Sequence, residues 1–348
     1  SWRGDQTELD VLRAIGQMSL EKGDHRRAFE TMRAAMQVEA ESDITRMMNE
    51  EMQGAFASLF LDGGANDMKP VDALALYYDF RELTPAGRRG DAMVRRLADR
   101  LVDVDLLPQA AELLSHQVEN RLRGAARAEV AADLAMVYLL DKRPERALRT
   151  LARTRQPELP LSIERQRRTV EGRALADTGK PDLALDLLQP LQGSDIDRLR
   201  AEILWQADRH LAAGEQFERL LGARWSDDLP LTDGEQLDIL KAGIAYTLVA
   251  DGLSLDRLRS KFASKMALTP NALAFEAVTA PISTAGASFE EVVRSIAAID
   301  KAQDFLTEYR TRFRPSEDSL DDEPADPAVD AEPAASAEAA TQPAEAAG

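Results

Sequence analysis

Four prolines return along this chain at nearly constant spacing, and each opens the same short helical phrase. Pro70 begins Pro70-Val71-Asp72-Ala73-Leu74, and Pro108 begins Pro108-Gln109-Ala110-Ala111. Pro144 begins Pro144-Glu145-Arg146-Ala147-Leu148, and Pro181 begins Pro181-Asp182-Leu183-Ala184-Leu185. The intervals are 38, 36 and 37 residues. Proline fits the first turn of a helix, where its missing N–H would have no partner anyway. A period in this range predicts a solenoid of helix pairs, each burying its apolar face only against its neighbours. Such a fold points to binding rather than to chemistry.

Composition supports an all-α body. Hydrophobic residues make up 44% of the 348 residues and aromatics only 5%, with Ala and Leu dominant, which suits helix packing. Strand-forming runs are absent. There is no cysteine, so disulfides and thiolate metal sites are excluded. No apolar run reaches the ~18 residues of a membrane span. The chain starts at Ser1 rather than Met, which raises the expectation of a longer natural protein. The compartment is cytoplasmic by default and periplasmic if an upstream leader has been removed. The net charge of −18 is uneven: residues 315–348 carry −10 and no Lys or Arg, leaving −8 for the rest. Generic nucleic-acid binding is not expected of so acidic a chain.

Along the chain, residues 1–7 read as a flexible lead-in. Residues 8–222 read as the repeat array, with helix pairs at 9–21 and 25–39, 43–61 and 70–82, 91–102 and 108–119, 126–140 and 144–153, 162–176 and 181–191, and 195–209 and 211–221. Residues 223–313 read as a degenerate repeat, with helices at 233–250 and 254–266, an irregular stretch over 267–286 and a capping helix over 287–313. Phe305, Leu306, Tyr309 and Phe313 lie near helical spacing on that last helix, which could cap the stack or serve self-association. Residues 314–348 hold mostly Ala, Pro, Glu and Asp, too little apolar surface to offset ordering entropy, so a disordered acidic tail is expected.

The helix pairs resemble tetratricopeptide repeats. That family places a small residue midway in the first helix, an aromatic or Leu three positions on, and an Ala early in the second helix. The matching residues are Ala135, Tyr138 and Ala147, then Gly172, Leu175 and Ala184, then Ala201, Leu204 and Ala213, with Gly16, Ser19 and Ala28 in the first hairpin. The early Trp common in the family is replaced by Leu12, Val94, Ala131, Arg168 and Asp197. The resemblance covers residues 8–222. It implies a right-handed α-solenoid of helical hairpins with a C-terminal helical cap. It also implies a non-enzymatic scaffold that binds a protein or peptide segment on a concave face lined by the first helices.

On that geometry the concave positions include Arg13, Gln17, Arg95, Asp99, Ala132, Met136, Thr169, Arg173, Arg198, Glu202 and Trp205. Trp205, flanked by Arg198 and Glu202, is a candidate anchor because Trp and Arg are enriched at binding hot spots. Ordinary core packing against the next unit is the rival reading for it. Residues 121–173 hold thirteen basic against seven acidic side chains, a local +6. This patch suits an acidic segment, the chain's own tail included, or it is a solvated face with pairs such as Glu145–Arg149. His25, His116 and His210 are scattered, and neither a metal-ligand spacing nor a phosphate loop nor a nucleophile elbow is present. No catalytic residue, cofactor or metal is expected. Two rival functions remain open at this point: a structural docking arm of a larger cell-envelope assembly, and a helical accessory domain of a longer enzyme.

Overall fold

The structure is a computed structural model that describes residues 6–38 and 43–280, and all of its regular structure there is helical. The expected cap at 287–313 and tail at 314–348 lie outside the described residues. Six hairpins follow from the predicted pairs: α1 Gln6–Glu21 with α2 His25–Val38, α3 Asp43–Leu61 with α4 Pro70–Asp79, and α5 Arg88–Asp103 with α6 Leu107–His116. Then come α7 Gly124–Leu140 with α8 Pro144–Arg153, α9 Leu161–Asp177 with α10 Pro181–Leu188, and α11 Ser194–Gln206 with α12 His210–Leu221. A π turn over Gln117–Arg121 prolongs α6. The pair α13 Asp233–Leu248 and α14 Gly252–Met266 makes a seventh hairpin. All four prolines stand in the first turn of their helices.

Backbone geometry shows the repeat more widely than the prolines do. Six of the seven hairpins close through one residue in the left-handed region: Gly23, Asp105, Lys142, Gly179, Asp208 and Ala250, with φ between 54° and 75°. Each donates its N–H to the carbonyl three residues back, and the next N–H reaches the carbonyl five back, at 2.8–3.1 Å. This pair of bonds caps the last carbonyls of a helix and reverses the chain. The hairpins α11/α12 and α13/α14 lack the proline but share the turn. They are therefore units of the same kind. Four of the six turn residues carry a Cβ, which strains a left-handed backbone by roughly 1–2 kcal/mol. Ala250 has no polar side chain to offset that strain. Ala250→Gly is expected to raise stability by about 0.5–1 kcal/mol, once the greater freedom of unfolded glycine is subtracted. A urea midpoint that fails to rise would mean the turn is not strained.

Close approach of the two helices comes from small residues. Ala28, Ala135, Ala147, Ala184, Ala201 and Ala213 are all fully buried. A Cβ on Gly172 would sit 2.9 Å from the Leu188 side chain, and one on Gly16 would sit 2.7 Å from the Met32 side chain, each across its own hairpin. The α3/α4 hairpin departs from this pattern. There Phe56 and Phe60 of α3 meet Tyr77 of α4 at ring separations of 6.4 and 6.3 Å. Phe29 of α2 reaches Phe56 and Phe80 in the same cluster. Rings fill more space than alanines, and this pair is joined by a longer loop with a 3₁₀ turn, Gly64–Asp67.

Helices pack chiefly on the next helix and the next but one, such as α7 on α8 and α9. The core is accordingly three successive clusters: from α1 to α7, from α7 to α11, and from α11 onward. This neighbour-by-neighbour burial is the physics of a solenoid. One helix was not expected. The stretch over 267–286, read as irregular because of Pro270 and its Ser and Thr, contains α15, Ala272–Thr279. Phe275 and Val278, three residues apart, are buried where α15 packs on α13 and α14.

Candidate functional site

The first helices of successive hairpins present polar side chains toward one another. Arg13 and Gln17 of α1 both bond Glu51 of α3. Arg95 of α5 lies 3.8 Å from Glu129 of α7. Gln166 Nε2 of α9 donates to Asp133 Oδ1 of α7 at 2.9 Å. Arg173 Nη1 of α9 donates to Glu202 of α11 at 3.0 Å, and its Nε donates to Asp177 at 3.1 Å. Arg198 of α11 grips Asp238 of α13 through two bonds of 2.9 Å. Rungs therefore run from α1 to α3 and continue from α5 to α13. A two-bond arginine–carboxylate contact fixes orientation as well as distance.

Most of the residues singled out by sequence lie on this ladder. Arg95, Arg173, Arg198 and Glu202 are rungs, and Asp99 lies near enough to Asp133 to act on its charge. Met136 is not on an open surface: it is 4% exposed and packs in the middle core cluster. Ala132 and Thr169 are enclosed as well. The small residues of α7 bring its neighbours so near that these positions are covered. Trp205 is half-buried, with its ring edge-on to Phe217 and His210 of α12 at 6.2 and 5.9 Å. It forms part of the packing of its own hairpin.

Of the acidic partners, sequence reading reached Glu202 but missed Glu51, Glu129, Asp133 and Asp238. On α7 the polar inward position is Asp133, one residue beyond the expected Ala132. Its carboxyl pKa is pushed up to about 7, first by loss of water and then by Asp99 and Glu129, against the pull of Arg95 and Gln166. Asp238 is also raised, by burial against the pull of Arg198. Glu218 of α12 shows the reverse. Burial alone would raise it, but Arg257, Lys261 and the Tyr246 hydroxyl hold it down at about 2.

A second set of arginines clasps helix ends. Arg96 of α5 donates to the Leu61 carbonyl that ends α3. Arg127 of α7 donates to Val118 O at 3.0 Å. Arg167 of α9 reaches Leu151 O, in the last turn of α8, at 2.7 Å. Arg200 of α11 reaches Leu188 O and Leu191 O at the end of α10, at 2.6 and 2.7 Å. Carbonyls at a helix C-terminus lack intrahelical partners and carry partial negative charge, so a guanidinium suits them. Much of the basic run in 121–173 is thus structural.

Among the described residues, no group of three or more His, Asp or Glu is placed to hold a metal ion. None of the described helices is long and apolar enough to cross a membrane.

No family model matches the sequence, and no curated protein matches it. Among solved structures, the chain is similar to the crystal structure, at 2.39 Å resolution, of a tetratricopeptide repeat protein from Parabacteroides merdae. The identity is 10% and the TM-score 0.36, over 88% of this chain and 99% of that one. The repeated turn and the buried small residues are what tie this chain to helical-hairpin repeats.

Proposed function

We propose that the chain is a non-enzymatic protein-interaction scaffold, and that it grips a protein segment on the concave face of its first helices. The observation that carries this reading is the ladder. It lines up Arg95, Asp99, Arg173, Arg198, Glu202 and their partners across successive units. An extended segment laid across such rungs meets alternating charge at fixed positions, which gives register and specificity more than raw affinity. The rungs are already paired, so the face is preorganised and a ligand orders few side chains on binding. Trp205 supports the site by stiffening α11 against α12.

Photo-crosslinking in the full chain tests the surface. A crosslinking residue replaces Arg95 or Arg198 on the first helices, or the exposed Leu183 or Leu211 on α10 and α12. Partner peptides are expected from positions 95 and 198 at several times the yield from 183 and 211. Equal yields, or higher yields from the second helices, would place binding elsewhere.

A further inference from the structure

On the opposite set of helices, two adjoining cavities of about 370 and 380 Å³ open between α6, with its π turn, and α8. They share Ser115, Glu119, Tyr138 and Arg146. One wall is α8, where Arg146, Arg149 and Arg153 follow at three- and four-residue steps and so share a face. All three are exposed. Among the described residues none has a carboxylate within pairing distance, whereas Arg143 pairs with Asp141 at 3.0 Å. Tyr138 floors the groove, and the Arg146 guanidinium stands 5.9 Å from its ring centre. The α6 wall carries Glu112 and Glu119. Glu112 is hydrogen-bonded to the Tyr78 hydroxyl, and Glu119 accepts from Ser115 Oγ at 3.3 Å.

Three unpaired guanidinium groups on one helix face repel one another unless anions gather beside them. Their forked donors match carboxylates. The chain itself holds such carboxylates: Glu317, Asp318, Asp321, Asp322, Glu323 and Asp326 fall within ten residues, with no Lys or Arg among them. The last described helix ends at Thr279. With 287–313 helical as expected, 27 residues at ~1.5 Å and about 11 extended ones at ~3.4 Å span roughly 75–80 Å. The groove lies about five helix layers away, roughly 50 Å at 8–10 Å per layer. A tether of this kind holds its end at high effective concentration.

We infer that the arginine groove between α6 and α8 holds the chain's own acidic segment, residues 317–326. An acidic segment of a partner must then displace it to reach the groove. This proposal and the first-helix reading do not depend on each other, since the three arginines lie on the second helix α8 and the ladder's rungs are other residues on the first helices.

Because the chain has no cysteine, labels can be placed singly in the full-length protein. Asn120→Cys at the groove rim and Ser319→Cys in the acidic segment, both spin-labelled, report their separation by pulsed electron resonance. A narrow, short-distance population is expected. It should be lost in an Arg146→Glu, Arg149→Glu, Arg153→Glu background and weakened at about 0.5 M salt, where exposed charges are screened. A second variant guards against misfolding: Asp and Glu over 317–326 changed to Asn and Gln leave the array untouched and should abolish the same population. A broad distribution that ignores all three changes overturns the proposal. So does a short distance to a label at Gln206 on α11 in place of the groove. A broad distribution together with saturable binding of a synthetic acidic peptide to the groove also overturns it, and assigns the groove to an outside partner. Any of these results leaves the crosslinking test of the first-helix face unaffected.

Discussion

Replacing Arg167 with Met is expected to lower the stability of the chain by about 3 kcal/mol, because hydrogen bonds to a charged group are each worth roughly 1.5–3 kcal/mol. Arg167 is 6% exposed. Its Nη1 donates to Ala128 O at 2.7 Å and to Thr154 Oγ1 at 3.1 Å, and its Nη2 donates to Leu151 O at 2.7 Å. One guanidinium thus joins α7, α8 and α9. Burial disfavours its charge, and Glu171 only partly offsets that. The charge persists because the donors are used. Methionine fills similar volume, so the loss reports the polar bonds rather than a cavity. Lysine keeps the charge but has no planar fork, and it is expected to recover only part of the loss. Urea unfolding of the parent, Arg167→Met and Arg167→Lys orders the three. A loss below ~1 kcal/mol for Met would mean the buried contacts are no better than surface ones.

This clasp shows which parts of the fold were legible in the sequence. Helix starts were, because proline in a first turn acts locally. The interhelix contacts at Ala135, Ala147, Gly172 and Ala184 were legible too, because close packing demands small residues at fixed offsets. The turn was only partly so. Gly23 and Gly179 announce a left-handed residue, whereas Lys142 and Ala250 adopt the same conformation without any propensity for it. There the packing of both helices overrides the local cost. Helix α15 was hidden for a related reason: its eight residues are too few for helical periodicity to stand out beside Pro270.

The candidate site was legible in outline and not in pairing. Offsets within the first helices led to Arg95, Arg173, Arg198 and Glu202, all of which the fold places on one ladder. They did not reveal that these side chains would be engaged with one another, since the partners lie 29–40 residues away and one-dimensional spacing carries no rotation of one helix against the next. A rotational error of one residue, 100° on a helix, exchanged buried Ala132 for Asp133. The arginine run misled in the other direction. Arg127, Arg167 and Arg173 serve the fold, and Arg146, Arg149 and Arg153 stand apart. Only the position of each residue around its helix separates the two groups.

Asp133 should make the array less stable as pH rises from about 4 to 7, the reverse of an ordinary ion-paired carboxylate. In the unfolded chain this group ionises near 3.8, while in the fold it holds its proton to about 7. Between these values the folded state binds the extra proton, so stability falls with rising pH across that window and levels off above it. At three pH units the full linkage would approach ~4 kcal/mol at 1.36 kcal/mol per unit, and relaxation of the site reduces the expected effect to about 2 kcal/mol. Asp133→Asn removes the proton exchange and keeps an oxygen to accept from Gln166. The variant should match the parent near pH 3–4, at and below the unfolded value, and exceed it by about 2 kcal/mol at pH 8. Asp99 and Glu129 repel a charged Asp133 and Arg95 attracts it, so Arg95→Ala should widen the gap and Asp99→Asn should narrow it. Urea unfolding at pH 4 and pH 8 decides the matter. If Asp133→Asn is no more stable than the parent at pH 8, the carboxylate is ionised there without penalty, and the α5–α7 junction is an open, hydrated surface rather than an enclosed rung of the ladder.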